Sequence, residues 1–341
     1  MHPVDAPCVM AETILKLSGL KTHFLTHEGT VKAVDGLDLQ VSANETLGVV
    51  GESGCGKSVM GLSILRLIKN PPGKIVEGKI LFAGKNLLTL SESEMQRIRG
   101  NQISMIFQEP MTSLNPVITV GKQISETILI HQRLSRREAT DRTMEMLERV
   151  GIPLAKKRMK EFPYQMSGGM RQRVMIAMSL ACEPEVLIAD EPTTALDVTI
   201  QAQILDLIQA LKEELGTAVI LITHNMGVVS EVTQRVLVMY LGMAIEKAST
   251  RELFTHPFHP YTLGLLDSIP HLGARLKRGR VRLKEIPGTL PSPFDLPSGC
   301  RFYPRCQVAI SKCQNESPGF FEVSSEHEVR CWKYESSFNK K

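Results

Sequence analysis

The residues with the clearest chemistry are Gly51, Glu52, Ser53, Gly54, Cys55, Gly56, Lys57 and Ser58. Together they read G-x-x-x-x-G-K-S, a loop suited to cradling phosphates. Its glycines keep side chains out of the way, so that backbone N–H groups can point inward at phosphate oxygens. A helix opening at the end of the loop adds its positive N-terminal end. In such a loop Lys57 reaches the β- and γ-phosphates, and the Ser58 hydroxyl ligates Mg²⁺. A second set of polar residues follows apolar runs of strand length: Gln108 after Ile103-Ser104-Met105-Ile106-Phe107, Asp190 and Glu191 after Val186-Leu187-Ile188-Ala189, and His224 after Ala218-Val219-Ile220-Leu221-Ile222-Thr223. Asp190 fits an acid that holds Mg²⁺. Glu191 can polarise a water for attack on the γ-phosphate. His224 can hold that water in line, and Gln108 can reach both the ion and the water. A lone strand-end His or Gln is more often a satisfied structural residue. Four such residues at strand ends beside one phosphate loop favour function.

The third set is Cys300-x₅-Cys306-x₆-Cys313-x₁₇-Cys331. Four thiols in one short stretch form a metal-site pattern. The spacing lacks the close cysteine pairs usual for structural zinc, and four-cysteine sets serve zinc or iron–sulfur alike. The remaining cysteines, Cys8, Cys55 and Cys182, are scattered.

The elements around these residues read as an α/β protein. Thr46-Leu47-Gly48-Val49-Val50 is a strand entering the loop, and residues 59–67 have helical periodicity leaving it. Before the loop, Leu15-Lys16-Leu17 and Leu37-Asp38-Leu39-Gln40-Val41 alternate around a turn at His27-Glu28-Gly29, which predicts an antiparallel β layer of short strands. Phe24 in this layer either faces a purine or is a half-buried strand residue. After Pro71-Pro72-Gly73, Lys79-Ile80-Leu81-Phe82 is a strand, and Ser93 with Gln96 fits a capping box for a short helix. Residues 110–183 read as an inserted helical subdomain, with helices over 119–131 and 135–150; the second opens on a Ser135–Glu138 box. Its methionines fill core or contact surface. A helix is predicted from about 199 to 215, and Val236-Leu237-Val238-Met239-Tyr240 is a further strand. Alternating strands and helices predict a mostly parallel sheet, with ligands at the carboxyl ends of its strands.

A length of 341 residues suggests about two domains. A net charge of +4 is small for that length and gives no support to nucleic-acid binding. No apolar run approaches the roughly 20 residues of a membrane span. The first residues, Met1-His2-Pro3-Val4-Asp5-Ala6-Pro7, lack the pattern of a secretory signal. The expectation is a cytosolic protein with reduced thiols, any membrane role coming through partners. The basic run at residues 275–284 reads as solvated linker in preference to a membrane or partner contact. The prolines from Pro287 to Pro297 forbid regular structure after it.

Ser167-Gly168-Gly169-Met170-Arg171-Gln172-Arg173 resembles the signature motif of ATP-binding-cassette ATPases, whose usual form is L-S-G-G-Q. Met166 stands for the Leu and Met170 for the Gln. Ala195-Leu196-Asp197 resembles the D-loop and Thr223-His224 the H-loop, with Asn225 where Asp is common. The resemblance covers about residues 12–258. It implies a P-loop cassette domain with an antiparallel β layer and a helical subdomain at about 110–183, followed by a small Cys-rich extension at 259–341. It implies ATP as the ligand. It also implies head-to-tail pairing, each ATP lying between one P-loop and the other subunit's Ser167, Gly168 and Gly169. A glycine-opened helix N-terminus facing the γ-phosphate completes an anion clamp, and losing that phosphate loosens the pair.

Met111-Thr112-Ser113-Leu114-Asn115-Pro116, the run from Glu191 to Thr199, and His259-Pro260-Tyr261-Thr262 resemble the oligopeptide and dipeptide importer branch. That resemblance implies an ATP-hydrolysing subunit powering peptide import. The alternatives are import of nickel or another solute, or a non-transport cassette ATPase. The implied partners are a second, different cassette, two transmembrane permease subunits and, through the complex, an extracytoplasmic solute-binding protein, with no nucleic acid. The implied place is peripheral, on the cytoplasmic face of the inner membrane. Residues 109–130 would touch the membrane subunits. The tail of that branch holds a 4Fe-4S cluster, which favours iron–sulfur over zinc at the four cysteines. An inactive P-loop sensor is the remaining class; intact Lys57, Asp190, Glu191 and His224 speak against it.

Overall fold

The computed structural model describes residues 12–108, 113–194, 196–269 and 285–335. The chain opens with β1 (Thr13–Thr26) and β2 (Gly29–Ser42), paired antiparallel with Leu17 opposite Leu39, Leu20 opposite Leu37 and Phe24 opposite Val31. They are two long strands, not several short ones. Register shifts between Leu17 and Leu20 and between Thr22 and His23 break the two-residue alternation. A bulge puts an extra residue on one strand, so the pattern along the sequence survives only in pieces.

β3 (Thr46–Val50) is buried at every position and leads through the glycine loop into α1 (Lys57–Ile64). This helix is shorter than its apolar periodicity suggests. Arg66 takes a positive φ of 53° just after it, which ends the helical path. β4 (Gly73–Phe82) and β5 (Lys85–Asn86) complete a four-stranded sheet in the order β2-β1-β4-β5. α2 (Glu92–Ile98) is capped by Ser91 and Glu94, not by Ser93 and Gln96: the Ser91 N–H donates to Glu94 Oε2 at 2.8 Å. The charged Glu accepts that bond more strongly than a Gln amide and also suits the helix N-terminus.

After β6 (Ile103–Ile106) the helical subdomain comprises α3 (Val120–His131), α4 (Arg136–Arg149), α5 (Ala155–Arg158) and α6 (Gly168–Leu180). Ser135 and Glu138 cap α4 reciprocally, at 2.7 and 3.3 Å. Met146, Met166 and Met175 are buried among Ile124, Ile128 and Leu147, so these methionines fill core.

The rest of the chain gives β7 (Val186–Asp190), α7 (Val198–Leu215), β8 (Ala218–Ile222), α8 (Met226–Val232), β9 (Arg235–Tyr240), β10 (Met243–Ser249), α9 (Thr250–Thr255), α10 (Pro260–Asp267), α11 (Ser311–Asn315), β11 (Phe321–Ser324) and β12 (His327–Val329). The main sheet runs β11-β12-β10-β9-β3-β8-β7-β6. β9, β3, β8, β7 and β6 are parallel, and β10, β12 and β11 pair antiparallel beside them. Every residue of β3, β7 and β8 is buried, as expected where helices or a second sheet cover both faces.

Two strands from the region beyond 259, β12 and β11, are built onto this sheet. Glu246 of β10 pairs with Val329 of β12, and Lys247 with Glu328. From 285 to 302 there is no helix or strand, in keeping with the prolines. Among the described residues no helix is long and apolar enough to cross a membrane. Cys8, Glu109 to Thr112, Ala195 and the basic run 275–284 lie outside the described residues.

Candidate active site

The glycine loop leaves β3, which lies between β9 and β8 in the parallel part of the sheet. A Cβ on Gly51 would lie 2.2 Å from the Met239 carbonyl oxygen, and one on Gly56, at φ 103°, would lie 2.0 Å from that of Ala33. These two glycines are therefore needed for packing against β9 and β2 as well as for room around a phosphate. Lys57 Nζ donates to the carbonyls of Gly51 at 2.8 Å and Glu52 at 3.0 Å, which hold the ammonium across its own loop. The Cys55 side chain is buried in the core beneath the loop, and burial raises its thiol above the usual range. Cys55 thus offers a ligand only its backbone. Ser53 and Gly54 are exposed at the loop's tip.

The structure brings the strand-end residues together. Ser58 Oγ donates to Asp190 Oδ1 at 3.1 Å. Asp190 is only 3 % exposed, and burial raises its carboxyl above the ordinary range despite the Ser58 bond. A desolvated carboxylate beside a hydroxyl at a phosphate loop fits a divalent cation, whose charge would offset the burial. The next residue, Glu191, takes a positive φ of 46° before Pro192. Such strain in a non-glycine residue collects at functional sites. Here it follows directly on the buried Asp190 at the strand end.

The Glu191 carboxylate accepts from Thr194 Oγ1 at 2.9 Å and Gln108 Nε2 at 3.2 Å, and His224 Nδ1 lies 3.1 Å from it. Burial pushes the Glu191 carboxyl up, but the bonds from His224 and Thr194 outweigh it and hold the group below its usual range. The His224 side chain remains 65 % exposed. An ionised, oriented carboxylate thus borders an open space with an imidazole and an amide at its sides. Thr194 was missed by sequence reasoning, because a hydroxyl in a loop carries no periodic signal.

The Ser167 motif lies apart from this cluster. Ser167 Oγ accepts from the Met170 N–H at 3.3 Å and caps α6, while Ser167 and Gly168 are exposed. A Cβ at Gly168 would meet only Leu196 at 3.8 Å, and one at Gly169 would meet Ile200 at 3.2 Å. The glycine-opened helix end therefore faces outward. Phe24 is half-buried on β1 and sits beside Gly73 of β4, where a Cβ would come within 2.8 Å of its ring.

Two further residues at the loop were not legible in the sequence. The Glu52 N–H donates to Tyr261 Oη at 2.7 Å, and Arg305 donates to the Glu52 carboxylate at 2.7 and 3.0 Å. The run His259-Pro260-Tyr261-Thr262 stood out only by resemblance. Its local signal is a helix start, with His259 as N-cap and Pro260 in the first turn. Nothing in the sequence marks Arg305.

Cys300, Cys306, Cys313 and Cys331 line one cavity of about 80 Å³, together with Phe302 and Trp332. The Cys300 N–H donates to the Cys313 carbonyl at 2.8 Å. Burial raises the thiols of Cys306 and Cys331, and that of Cys300 to about 11. Among the described residues no group of three or more His, Cys, Asp or Glu is placed to hold a metal ion. The expected iron–sulfur cluster, or zinc in its place, therefore finds no ready-made metal-binding group. The four thiols share a cavity without forming a single-ion site.

Residues 34–194 match the ABC transporter family, and residues 245–313 match the oligopeptide/dipeptide transporter C-terminal region. The chain is 53 % identical over 324 residues to a probable peptide ABC transporter ATP-binding protein, y4tR, of Sinorhizobium fredii, covering 95 % of this chain and 96 % of the relative. It is 49 % identical over 323 residues to the oligopeptide transport ATP-binding protein AppD of Bacillus subtilis, covering 95 % and 97 %. Among solved structures, the dimeric post-hydrolysis state of the ATP-binding cassette MJ0796 bound to ADP and Pi superimposes with a TM-score of 0.63 at 28 % identity, covering 70 % of this chain and 99 % of that one.

Proposed function

The chain belongs to the ABC transporter family of ATPases, and from that premise we propose that it powers the import of peptides as the ATP-hydrolysing subunit of a membrane complex. The observation that carries the chemistry is the gathering of Gln108, Thr194 and His224 around Glu191, beside the Ser58–Asp190 pair. The loop N–H groups and Lys57 bind the triphosphate. Ser58, Asp190 and Gln108 would hold Mg²⁺, which neutralises charge on the β- and γ-phosphates when bound. Glu191 takes a proton from a water as its oxygen bonds to the γ-phosphorus. The bond from that phosphorus to the bridging oxygen breaks, and ADP leaves with the electron pair. His224 holds the water in line. Phe24 is retained as a residue that would face the purine. Ser167, Gly168 and Gly169 act on the ATP of a second cassette, a role supported by the exposure of Ser167 and Gly168 at the N-terminal end of α6.

The peptide reading draws on the names of the relatives and on the match of residues 245–313. Nickel or another solute remains the alternative cargo. We assign 12–258 to the cassette, with its helical subdomain at about 110–183, and 259–341 to the extension. The complex would place the chain on the cytoplasmic face of the membrane, with a different sister cassette, two permease subunits and a solute-binding protein. Val117 is 78 % exposed and Ile130 69 %. Apolar side chains so placed between residues 113 and 130 support a docking surface for the permease subunits. The four cysteines would hold a 4Fe-4S cluster. What supports this reading is that all four thiols line one cavity, which brings the ligands of a four-cysteine set to one place.

Affinity purification from membranes tests the transport reading. Two polytopic subunits and a second cassette should co-purify, and their absence under conditions that preserve ATPase activity would exclude it. Anaerobic purification tests the cluster. Four-iron content with broad visible absorbance, lost in Cys313→Ser while nucleotide binding persists, is expected; stoichiometric zinc or four free thiols would remove it.

A further inference from the structure

Glu52 is an acid inside a loop that binds a polyanion, and it is tied at three points. Its N–H donates to Tyr261 Oη at 2.7 Å, its carbonyl accepts from Lys57 at 3.0 Å, and its carboxylate accepts two bonds from Arg305 at 2.7 and 3.0 Å. Arg305 is itself fixed. Its side chain is 4 % exposed, its Nε donates to the Pro287 carbonyl at 3.0 Å, and its guanidinium lies 5.9 Å from the rings of Tyr240 and Phe302. Tyr261 packs against both of those rings, with centroids 4.7 Å from Tyr240 and 5.5 Å from Phe302. Arg305 and Tyr261 both come from the segment beyond the cassette core, and Arg305 immediately precedes Cys306.

We propose that Arg305 and Tyr261 are positioning residues for the phosphate loop: Arg305 neutralises Glu52 and draws its carboxylate away from the nucleotide, and Tyr261 fixes the backbone of the same residue. The extension thereby becomes part of the nucleotide site, though it touches no phosphate. Without Arg305 the loop would present an unpaired negative charge to incoming ATP. A two-bond guanidinium fork fixes direction as well as charge, which a lysine could not reproduce. The alternative is a staple that only docks the extension, in which case the charge of Glu52 is irrelevant to ATP.

The two roles differ in the sign of an effect. The inference rests on the reading of the glycine loop as the ATP site, so Lys57→Ala is the control for that reading. Dissociation constants for Mg-ATP would be measured on the full chain, with thermal unfolding recorded in parallel. Arg305→Met should weaken binding about tenfold, the scale of one unpaired charge acting across about 12 Å at an effective dielectric near 20. Glu52→Gln alone, which frees the Arg305 charge, should tighten binding. The double variant should return to within about threefold of the parent. Tyr261→Phe should weaken binding by a smaller factor. If Arg305→Met does not fold, Glu52→Gln still decides, because a staple predicts unchanged or weaker binding there. An unchanged constant in Arg305→Met, unchanged or weaker binding in Glu52→Gln, or no recovery in the double variant would overturn the inference. A Lys57→Ala protein that bound ATP like the parent would instead overturn the loop reading.

Discussion

Glu191 owes its usefulness to two opposed effects on one carboxyl. Partial burial favours the neutral acid, while the His224 and Thr194 bonds favour the ion and win. The result is an ionised acceptor held in a single orientation by a strained backbone. Glu191→Gln preserves shape and hydrogen bonding but cannot take a proton. It should bind Mg-ATP like the parent and accumulate as a closed pair, with turnover lower by ~10²–10⁴-fold. Phosphate release by the assembled complex, measured beside nucleotide binding, checks this; a parental rate would remove Glu191 as the base. Residues of this kind were legible because apolar runs of strand length end on them. Thr194 lies in a turn and Arg305 at the end of a single 3₁₀ turn, Tyr303–Arg305, where neither periodicity nor composition points to a partner, so only the folded chain brings them to Glu191 and Glu52.

At the scale of elements, legibility followed burial. β3, β7 and β8 are buried at every position and read as unbroken apolar runs. β1 and β2 are bulged and read as fragments. β11 and β12, of four and three residues, carry too few positions for a pattern, so their joining of the main sheet was not visible. The Ser91–Glu94 cap overlapped a second frame two residues on, and the charged acceptor decided between them. The first turn of α6 poses a different question, because its glycine is not demanded by its own chain. A Cβ at Gly168 meets nothing nearer than 3.8 Å, unlike one at Gly51 or Gly56. The fold should therefore accept Gly168→Asp with an unchanged melting temperature and unchanged ATP affinity in the isolated chain. A carboxylate at that helix end would repel a γ-phosphate presented by a second cassette. ATPase activity of the assembled complex should fall by tenfold or more, the scale of one misplaced like charge. Retained activity would refute the shared site.

At the scale of the whole molecule, the extension is joined to the main sheet around Glu246, which is fully buried. Its carboxylate accepts from the N–H groups of Phe258 at 2.7 Å and His259 at 3.1 Å, and pairs with His327 Nε2 of β12 at 2.7 Å. His259 sits beside it, 2 % exposed, with Nδ1 accepting from the Tyr261 N–H at 3.1 Å. Burial depresses the His259 imidazole to about 4, with Glu246 opposing only part of the shift. The neutral ring is thus favoured in the folded state, while the unfolded chain would protonate near the ordinary histidine value of about 6.5. Stability from His259 is complete above that value and is lost as pH falls from about 6.5 toward 4, by roughly 3 kcal/mol in total. The loss reaches function because Tyr261, capped by His259, also holds the Glu52 N–H of the phosphate loop. His259→Asn keeps a capping acceptor that does not titrate. The variant should start less stable at pH 7.5, where a smaller side chain leaves space in the core. It should then lose stability between pH 6.5 and 4 with a slope shallower by up to about 1.4 kcal/mol per pH unit, the contribution of one proton. Urea unfolding across that pH range measures both slopes. Equal slopes in parent and variant would show that the acid sensitivity of the docked extension does not reside in His259.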